Sequence, residues 1–268
     1  MRSARDVATF IREVELTLDE PLGFRPGAFV QLEVPAYEAL PFAAFDLAPA
    51  ARAVWEAHGL LGLTARNPAP TTRAYSVATA PAEEGHLALD VRIATPPPGS
   101  DHPPGVASSF VYSLRPGDRV WLTGPHGEFF PREGTREMVY VGGGAGMAPL
   151  RSHIVHLLRE ARTRRKVTFF YGARSRSEVF YEETFRQLER EFPNFRFVVA
   201  LSAPLAEDAW EGPVGFIHEV ARRDYLAEHP DPGEVDYYLC GPPPMMAAVC
   251  ALLADLGVEP GRVACDAF

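Results

Sequence analysis

One stretch constrains this chain more than any other: Val139-Tyr140-Val141-Gly142-Gly143-Gly144-Ala145-Gly146-Met147-Ala148-Pro149. A short apolar run passes directly into a glycine cluster, then a proline, then a helical pattern. The run reads as a buried parallel strand. Glycines let the backbone turn tightly and approach a ligand, because no Cβ intervenes. Proline suits the first turn of a helix, where a missing N–H costs little. The exposed amides of such a turn form an anion site suited to a pyrophosphate. The usual dinucleotide fingerprint has a third glycine where Pro149 stands, which argues against an ordinary dehydrogenase.

The residues after 134 keep an α/β rhythm. Strands are expected at 138–141, 167–171, 196–201, 236–240 and 262–265. Helices are expected near 148–163, 181–191, 217–228 and 244–256. Parallel strands joined by helices make a doubly wound sheet, which binds ligands at the carboxyl ends of its strands. Three of those ends carry unusual residues: the glycine cluster, Tyr171-Gly172-Ala173-Arg174-Ser175, and Cys240-Gly241-Pro242-Pro243-Pro244-Met245-Met246. The last puts a thiol at a strand tip, followed by a rigid turn. Met245 and Met246 are expected to pack in the core.

The first half reads differently. Thr9 to Leu18, Ala28 to Val34, Thr72 to Ala78, Leu87 to Ala94 and Val120 to Leu122 are short, largely alternating runs with turn residues between them. That is the pattern of an antiparallel barrel or sandwich. Gly124 to Phe129 is expected to close it. Residues 36–70 break the rhythm with helix formers between prolines and read as a helical excursion. Arg73 and Tyr75 share one strand face, offering a forked guanidinium and an aromatic hydroxyl. Ser76 follows at the strand's end. Gly105-Val106-Ala107-Ser108-Ser109 reads as a helix start, with hydroxyls to cap it or amides to receive a diphosphate.

With 268 residues, 47% of them hydrophobic, the chain can hold two ordinary domains. A net charge of −9 without a long basic tract makes nucleic acid an unsuitable partner. The fullest basic stretch, Arg159 to Lys166, is expected to solvate a helix end. The three cysteines, Cys240, Cys250 and Cys265, have neither C-x-x-C nor iron–sulfur spacing, so a reduced, cytoplasmic setting and no metal site are expected. Cys250 and Cys265 are read as packing residues. No signal peptide and no apolar run of membrane-spanning length is visible.

Four motifs in order carry a resemblance: Arg73-x-Tyr75-Ser76, Gly105-x-x-Ser108, the glycine turn with Pro149, and Cys240-Gly241-Pro242-Pro243. Together they resemble the ferredoxin–NADP reductase superfamily. Arg92 to Pro98, Gly124 to Phe130, Gly142 to His153 and Tyr171 to Ser175 further resemble one of its families, the F subunit of the sodium-translocating NADH:quinone oxidoreductase. The resemblance spans about residues 8–268.

It implies an antiparallel β-barrel FAD-binding domain (1–133, with the insertion near 36–70) and an α/β doubly wound parallel-sheet NADH-binding domain (134–268). Arg73 would bind the FAD pyrophosphate, Tyr75 the ribityl and isoalloxazine part, and Ser76 would approach flavin N5. Val91, Arg92, Ile93 and Ala94 would line the flavin and adenine side. Gly105, Val106, Ala107, Ser108 and Ser109 would hold the diphosphate. Gly143, Gly144, Ala145, Gly146, Met147 and Pro149, with Gly172, Ala173, Arg174 and Ser175, would bind NADH. Cys240, followed by Gly241, Pro242, Pro243 and Met245, would stand near nicotinamide C4, and Phe268 would cover a flavin face.

The family's polypeptide also carries a membrane helix and a [2Fe–2S] ferredoxin domain that these residues do not contain. The acceptor is then expected to be such a domain or protein, within or beside the membrane subunits of a quinone reductase. The reductase component of a multicomponent oxygenase and a flavin relay without nucleotide oxidation are the alternatives. NADH is favoured over NADPH, although no acid near Arg174 and Arg176 stands out to grip a ribose hydroxyl.

Overall fold

The computed structural model describes residues 1–83, 85–97 and 99–267. Six strands form the barrel: β1 (Ser3–Ala8), β2 (Ile11–Leu16), β3 (Phe29–Val34), β6 (Thr71–Ser76), β7 (Leu87–Arg92) and β8 (Leu122–His126). They make two antiparallel three-stranded sheets, β1-β2-β7 and β6-β3-β8, joined by a bridge between Val77 and Leu89. Alternation decides which side chains enter. Val30, Leu32 and Val34 of β3 are buried, and Val30 and Leu32 meet Val14, Leu16, Leu89 and Val91 in one cluster.

The sequence predicted one strand from Thr9 to Leu18. The structure instead turns at Thr9 and Phe10 and pairs Ser3–Ala8 back on β2. The alternation in the later part of that stretch belongs to β2 alone. The barrel-closing segment also differs, because β8 begins at Leu122 and leaves Val120 and Trp121 outside.

Residues 36–70 are more than a helical excursion. Strands β4 (Tyr37–Pro41) and β5 (Thr64–Asn67) form a ribbon that carries helix α1 (Pro49–Ala57) between them. Trp55 of α1 is wholly buried against Phe42 and Phe45, and its Nε1 donates to Thr9 O at 2.8 Å. Arg12 reaches from β2 beneath the insertion, pairing with Asp6 at 2.8 Å and donating to Asp46 O. A large buried aromatic residue and a satisfied buried charge thus help dock the insertion.

The second half is a five-stranded parallel sheet in the order β11-β10-β9-β12-β13. Its strands are β9 (Met138–Gly143), β10 (Val167–Ala173), β11 (Phe195–Leu201), β12 (Asp236–Cys240) and β13 (Val263–Asp266). Helices α3 (Met147–Val155), α4 (Glu182–Glu191), α5 (Ile217–Asp224) and α6 (Pro243–Asp255) cover its two faces, and α2 (Val106–Ser113) belongs to the barrel half. Clusters on both sides of the sheet bury the central strands, as the continuous apolar runs require. The helix predicted to 163 passes instead into a π turn at His156–Glu160, and Arg162 takes a left-handed φ of 49°. Arg165 does not solvate the surface. It is buried and paired with Asp236 at 2.6 Å.

Candidate active site

At the carboxyl ends of β9, β10 and β12 the glycines have two distinct jobs. Gly146 opens α3 with ordinary helical angles, φ −60° and ψ −10°. A Cβ there would lie 2.1 Å from Cys240 O and 2.3 Å from its carbonyl carbon, so the glycine lets α3 press on β12. Gly144 has φ +57° and nothing within 4 Å of a built Cβ, so it makes the turn and leaves open space. Of the expected nucleotide loop, Gly144 and Ala145 are half-buried, whereas Gly143, Gly146, Met147 and Pro149 are buried. A ligand would meet this loop through its backbone. Pro149 is the third residue of α3, within the first turn as expected.

Beside it, Gly172 and Ala173 end β10. Ser175 is buried, while Arg174 and Arg176 are exposed. No acid here stood out in the sequence, but the fold sets two against this turn, one local and one distant. Asp208, 32 residues away, accepts Arg176 N at 3.1 Å and Leu205 N at 2.9 Å, and Glu178 accepts Arg174 N at 3.4 Å. On the other flank Cys240 is fully buried (0% exposed), and burial pushes its thiol up, so it stays protonated. Gly241 is buried behind it, Pro242 and Pro243 are exposed, and Met245 is half-buried over Gly143.

The barrel brings β6 to the same end of the molecule. Thr72, Arg73 and Ala74 are exposed and Tyr75 and Ser76 half-buried, so this face lies open. The Arg73 guanidinium donates to Thr71 Oγ1 at 2.9 Å and Thr72 O at 2.7 Å, and no carboxylate pairs with it among the described residues. Burial pushes the Tyr75 hydroxyl up, with Arg73 opposing and Tyr37 adding to it. Tyr37, from the insertion, donates to Val106 O at 2.7 Å, and burial raises its hydroxyl to about 12. A second aromatic ring thus stands at the start of α2.

There Gly105 is the N-cap, and no side-chain oxygen caps the helix. Ser108 Oγ bonds instead to Gly105 O at 3.2 Å and Ala94 N at 3.1 Å, tying α2 to the end of β7. Ala107 and Ser109 are buried, and the Ser109 hydroxyl has no partner among the described residues. Val91 and Ile93 point into the core, leaving Arg92 and Ala94 on the outer face.

Near the strand tips a side-chain hydrogen bond joins the two halves. Ser76 Oγ donates to Asp266 Oδ2 at 3.1 Å, across 190 residues. Asp266 is the register partner of Cys240 on the β12–β13 ladder. Burial raises the Asp266 carboxyl, while the Ser76 hydroxyl lowers it. A hydroxyl, a carboxyl and a thiol from both halves therefore converge at the carboxyl edge of the parallel sheet. Phe268 lies outside the described residues.

Comparison with known proteins gives this arrangement its context. Residues 58–130 match an oxidoreductase FAD-binding domain and residues 140–251 an oxidoreductase NAD-binding domain. The F subunit of the Na(+)-translocating NADH-quinone reductase of Methylococcus capsulatus is 47% identical over 272 residues, covering 100% of this chain and 67% of that protein. The chain belongs to the family of these F subunits. The corresponding Klebsiella pneumoniae protein is 49% identical, over 97% of this chain and 65% of its own length. The chain thus spans about two thirds of the length of such relatives. Among solved structures, the Amycolatopsis cytochrome P450 reductase GcoB superposes with a TM-score of 0.74 at 27% identity, covering all of this chain and 68% of that one. The fold is ferredoxin reductase-like, with an oxidoreductase FAD-binding domain followed by an oxidoreductase NAD-binding domain.

Within that family's frame, the residues present fit both cofactors. Arg73 offers a guanidinium that pairs with no carboxylate among the described residues, on an open strand with Tyr75 and near Tyr37. The Gly144 turn leaves open space at the strand tips. Sequence reasoning gave Asp266 no site role and missed Tyr37. The first is an ordinary acid in a terminal strand, and the second lies in the insertion, so neither carries a local signal.

The seam between the halves was also missed. Three consecutive residues of α3 grip the barrel. Arg151 forks onto Glu83 at 2.7 Å with both nitrogens and donates to Ala78 O, Ser152 Oγ donates to Thr79 O at 2.8 Å, and His153 Nε2 meets Phe129 O at 2.8 Å. Burial holds His153 down at about 3, so its ring is neutral and Nε2 carries the donated proton. Among the described residues, no helix is long and apolar enough to cross a membrane. Cys250 and Cys265, read from the sequence as packing residues, are exposed free thiols.

Proposed function

We propose that this chain takes reducing equivalents from NADH onto FAD and delivers them singly to a [2Fe–2S] ferredoxin-type centre. It would do so as the reductase part of a membrane-associated quinone reductase, on the cytoplasmic side. The observation that supports this reading best is the Ser76–Asp266 contact beside Cys240. It puts proton-bearing groups from both halves at one place, where a nicotinamide and a flavin have to meet. FAD, when bound, supplies hydride acceptance and release of electrons one at a time.

The chain's own residues bind, orient and hold protons. Arg73 and the amides at the start of α2 take the FAD diphosphate. Tyr75 and Tyr37 flank the ring system's side of β6. Ser76 Oγ, its proton committed to Asp266 Oδ2, would accept a hydrogen bond from flavin N5 once that atom carries a proton. The Cys240 thiol stays neutral and orients the nicotinamide. Backbone of Gly144 and Ala145, with Gly172, Ala173 and the Arg174 turn, carries the nucleotide. Positioning supplies much of the rate, since both partners must sit at near-attack distance. The division between halves is placed at 133/134.

The test is an absorbance spectrum of the purified chain supplied with FAD, before and after anaerobic NADH. The expected result is a bound flavin spectrum that bleaches on mixing, followed by reoxidation by an added [2Fe–2S] ferredoxin. A folded protein that takes up no flavin overturns the reading. Bleaching without ferredoxin reoxidation overturns its acceptor.

A further inference from the structure

Besides the α3 grip, a second polar cluster crosses the seam, and its proton count is informative. Tyr181, just before α4, has φ 56° and ψ 16°, a left-handed conformation that a bulky residue adopts only when its surroundings impose it. Its hydroxyl reaches into the barrel and meets two carboxylates, Glu13 on β2 and Asp90 Oδ1 on β7, the latter at 2.9 Å. Glu13 and Asp90 are directly opposed on the β2–β7 ladder and are 3% and 6% exposed. Glu13 also accepts Arg5 Nε at 2.5 Å. Asp90 Oδ2 has no partner among the described residues.

A phenol has one proton, and an ionised carboxylate only accepts. Tyr181 cannot donate to both acids at once. The bonds are all made only when one acid carries a proton and donates it to Tyr181 Oη. Glu13 has the Arg5 cation beside it, so the neutral acid is Asp90. The chain of donation then runs from Asp90 to Tyr181 to Glu13, with Arg5 at the far side. We propose that Asp90 is a positioning residue: as a neutral acid it bonds the NADH half to the FAD half through Tyr181, and its ionisation loosens that seam.

The surroundings agree with this. Burial, then Glu13, pushes the Asp90 carboxyl up to about 7, against the Tyr181 hydrogen bond, Arg151 and Arg5. The groups facing it are Glu13 from β2, Arg5 from β1, Arg151 from α3, Tyr181 before α4 and Tyr171 from β10. Arg151 lies over the Tyr181 ring, 4.8 Å from its centroid, and is itself committed to Glu83.

The sign follows from linkage. With the seam open, Asp90 is solvated and titrates near the ordinary value of about 4. The closed seam is therefore favoured most at low pH. It loses up to about tenfold per pH unit as pH rises from about 4 to about 7, and nothing more above that.

The functional consequence rests on the NADH–FAD reading, but the decisive measurements do not. Amide exchange of the nucleotide-free protein, corrected for intrinsic rates, is followed at residues 179–183 and β7 from pH 5.5 to 8.5. Protection is expected to fall about tenfold or more between pH 5.5 and 7 and to level off above that. The infrared band of a protonated carboxyl should disappear around pH 7, where the closed seam ionises. Asp90→Asn keeps a neutral donor opposite Tyr181 and should abolish both changes, leaving exchange slow at pH 8. In the FAD-loaded protein, the wild-type rate of flavin reduction by NADH should decline through pH 7, and the Asp90→Asn rate should not.

Tyr181→Phe, which keeps the ring over Arg151, should show fast seam exchange at every pH. It serves as the second arm where Asp90→Asn does not fold. Wild-type exchange that is flat from pH 5.5 to 8.5, or an Asp90→Asn protein that retains the transition, overturns the proposal. A protein that shows the exchange transition but no flavin reduction leaves the latch standing and overturns the NADH–FAD reading instead.

Discussion

Gly144→Ala and Gly146→Ala form a pair in which two physical costs separate cleanly. Gly144 has φ +57° and empty space around its Cβ position. The substitution there costs only the left-handed conformation, about 1–2 kcal/mol, partly offset by the stiffer unfolded chain. A net loss of about 1 kcal/mol is expected. Gly146 is the opposite case. Its φ of −60° and ψ of −10° suit alanine, so conformation alone would stabilise the protein by about 0.5–1 kcal/mol.

Against that, the new methyl would sit 2.1 Å from Cys240 O and 2.7 Å from Gly241 N. Reaching the 3.0 Å that real Cβ atoms respect means opening the contact by 3.0 − 2.1 = 0.9 Å. Both obstacles are backbone, and Cys240 is pinned by Gly142 on one side and Asp266 on the other. Overpacking without a yielding side chain lies at or beyond the top of the usual range, about 3 kcal/mol or more. That is a large part of the roughly 5–15 kcal/mol that holds a protein folded.

The assay is urea unfolding followed by circular dichroism without flavin or nucleotide, so that ligand linkage does not enter. The expected order of midpoints is wild type, then Gly144→Ala, then Gly146→Ala well below. The Gly146 variant should also lose Cys240's protection from thiol reagents. A Gly146→Ala protein as stable as wild type or more so would refute the reasoning, since it would mean that α3 does not press on β12.

Ser76→Ala should leave FAD bound and slow its reduction by roughly 10–100-fold, the value of one charge-assisted hydrogen bond, in anaerobic stopped flow with NADH; an unchanged rate rejects the role of Ser76. Arg73→Leu should instead lose FAD on gel filtration, because nothing else on the exposed face of β6 carries a positive charge. Thiol titration of the native protein should count Cys250 and Cys265 and find Cys240 only after unfolding, with Cys265 slowed because burial and its neighbour Cys250 raise it to about 11. Steady-state rates should favour NADH over NADPH, with the Asp208 and Glu178 carboxylates bonded to the backbone beside the Arg174–Arg176 turn and repelling an added phosphate.

Much of this molecule was legible in short stretches. All five parallel strands and the four helices of the second half fell close to their expected places, because buried runs and amphipathic helices write their period locally. The glycine turn between β9 and α3 and the place of Cys240 at the tip of β12 were legible for the same reason. Local reading failed where partners lie far apart. The hairpin turn at Thr9 and Phe10 has no glycine or proline to mark it. The β4–β5 ribbon depends on a pairing across helix α1. Arg165 looked like one of a run of surface cations until Asp236, 71 residues away, was placed against it.

The chain alone therefore pointed to its two architectures, through the period of short stretches, and to its family, through four motifs in order. Only the tertiary structure decided that Ser76 meets Asp266, that Tyr37 reaches α2, that α3 grips the barrel, and that Glu13, Asp90 and Tyr181 must share protons across the seam. Those contacts depend on how two separately built halves are set against each other. That setting arises from burial and hydrogen-bond satisfaction summed over the whole interface, a quantity no short window of sequence contains.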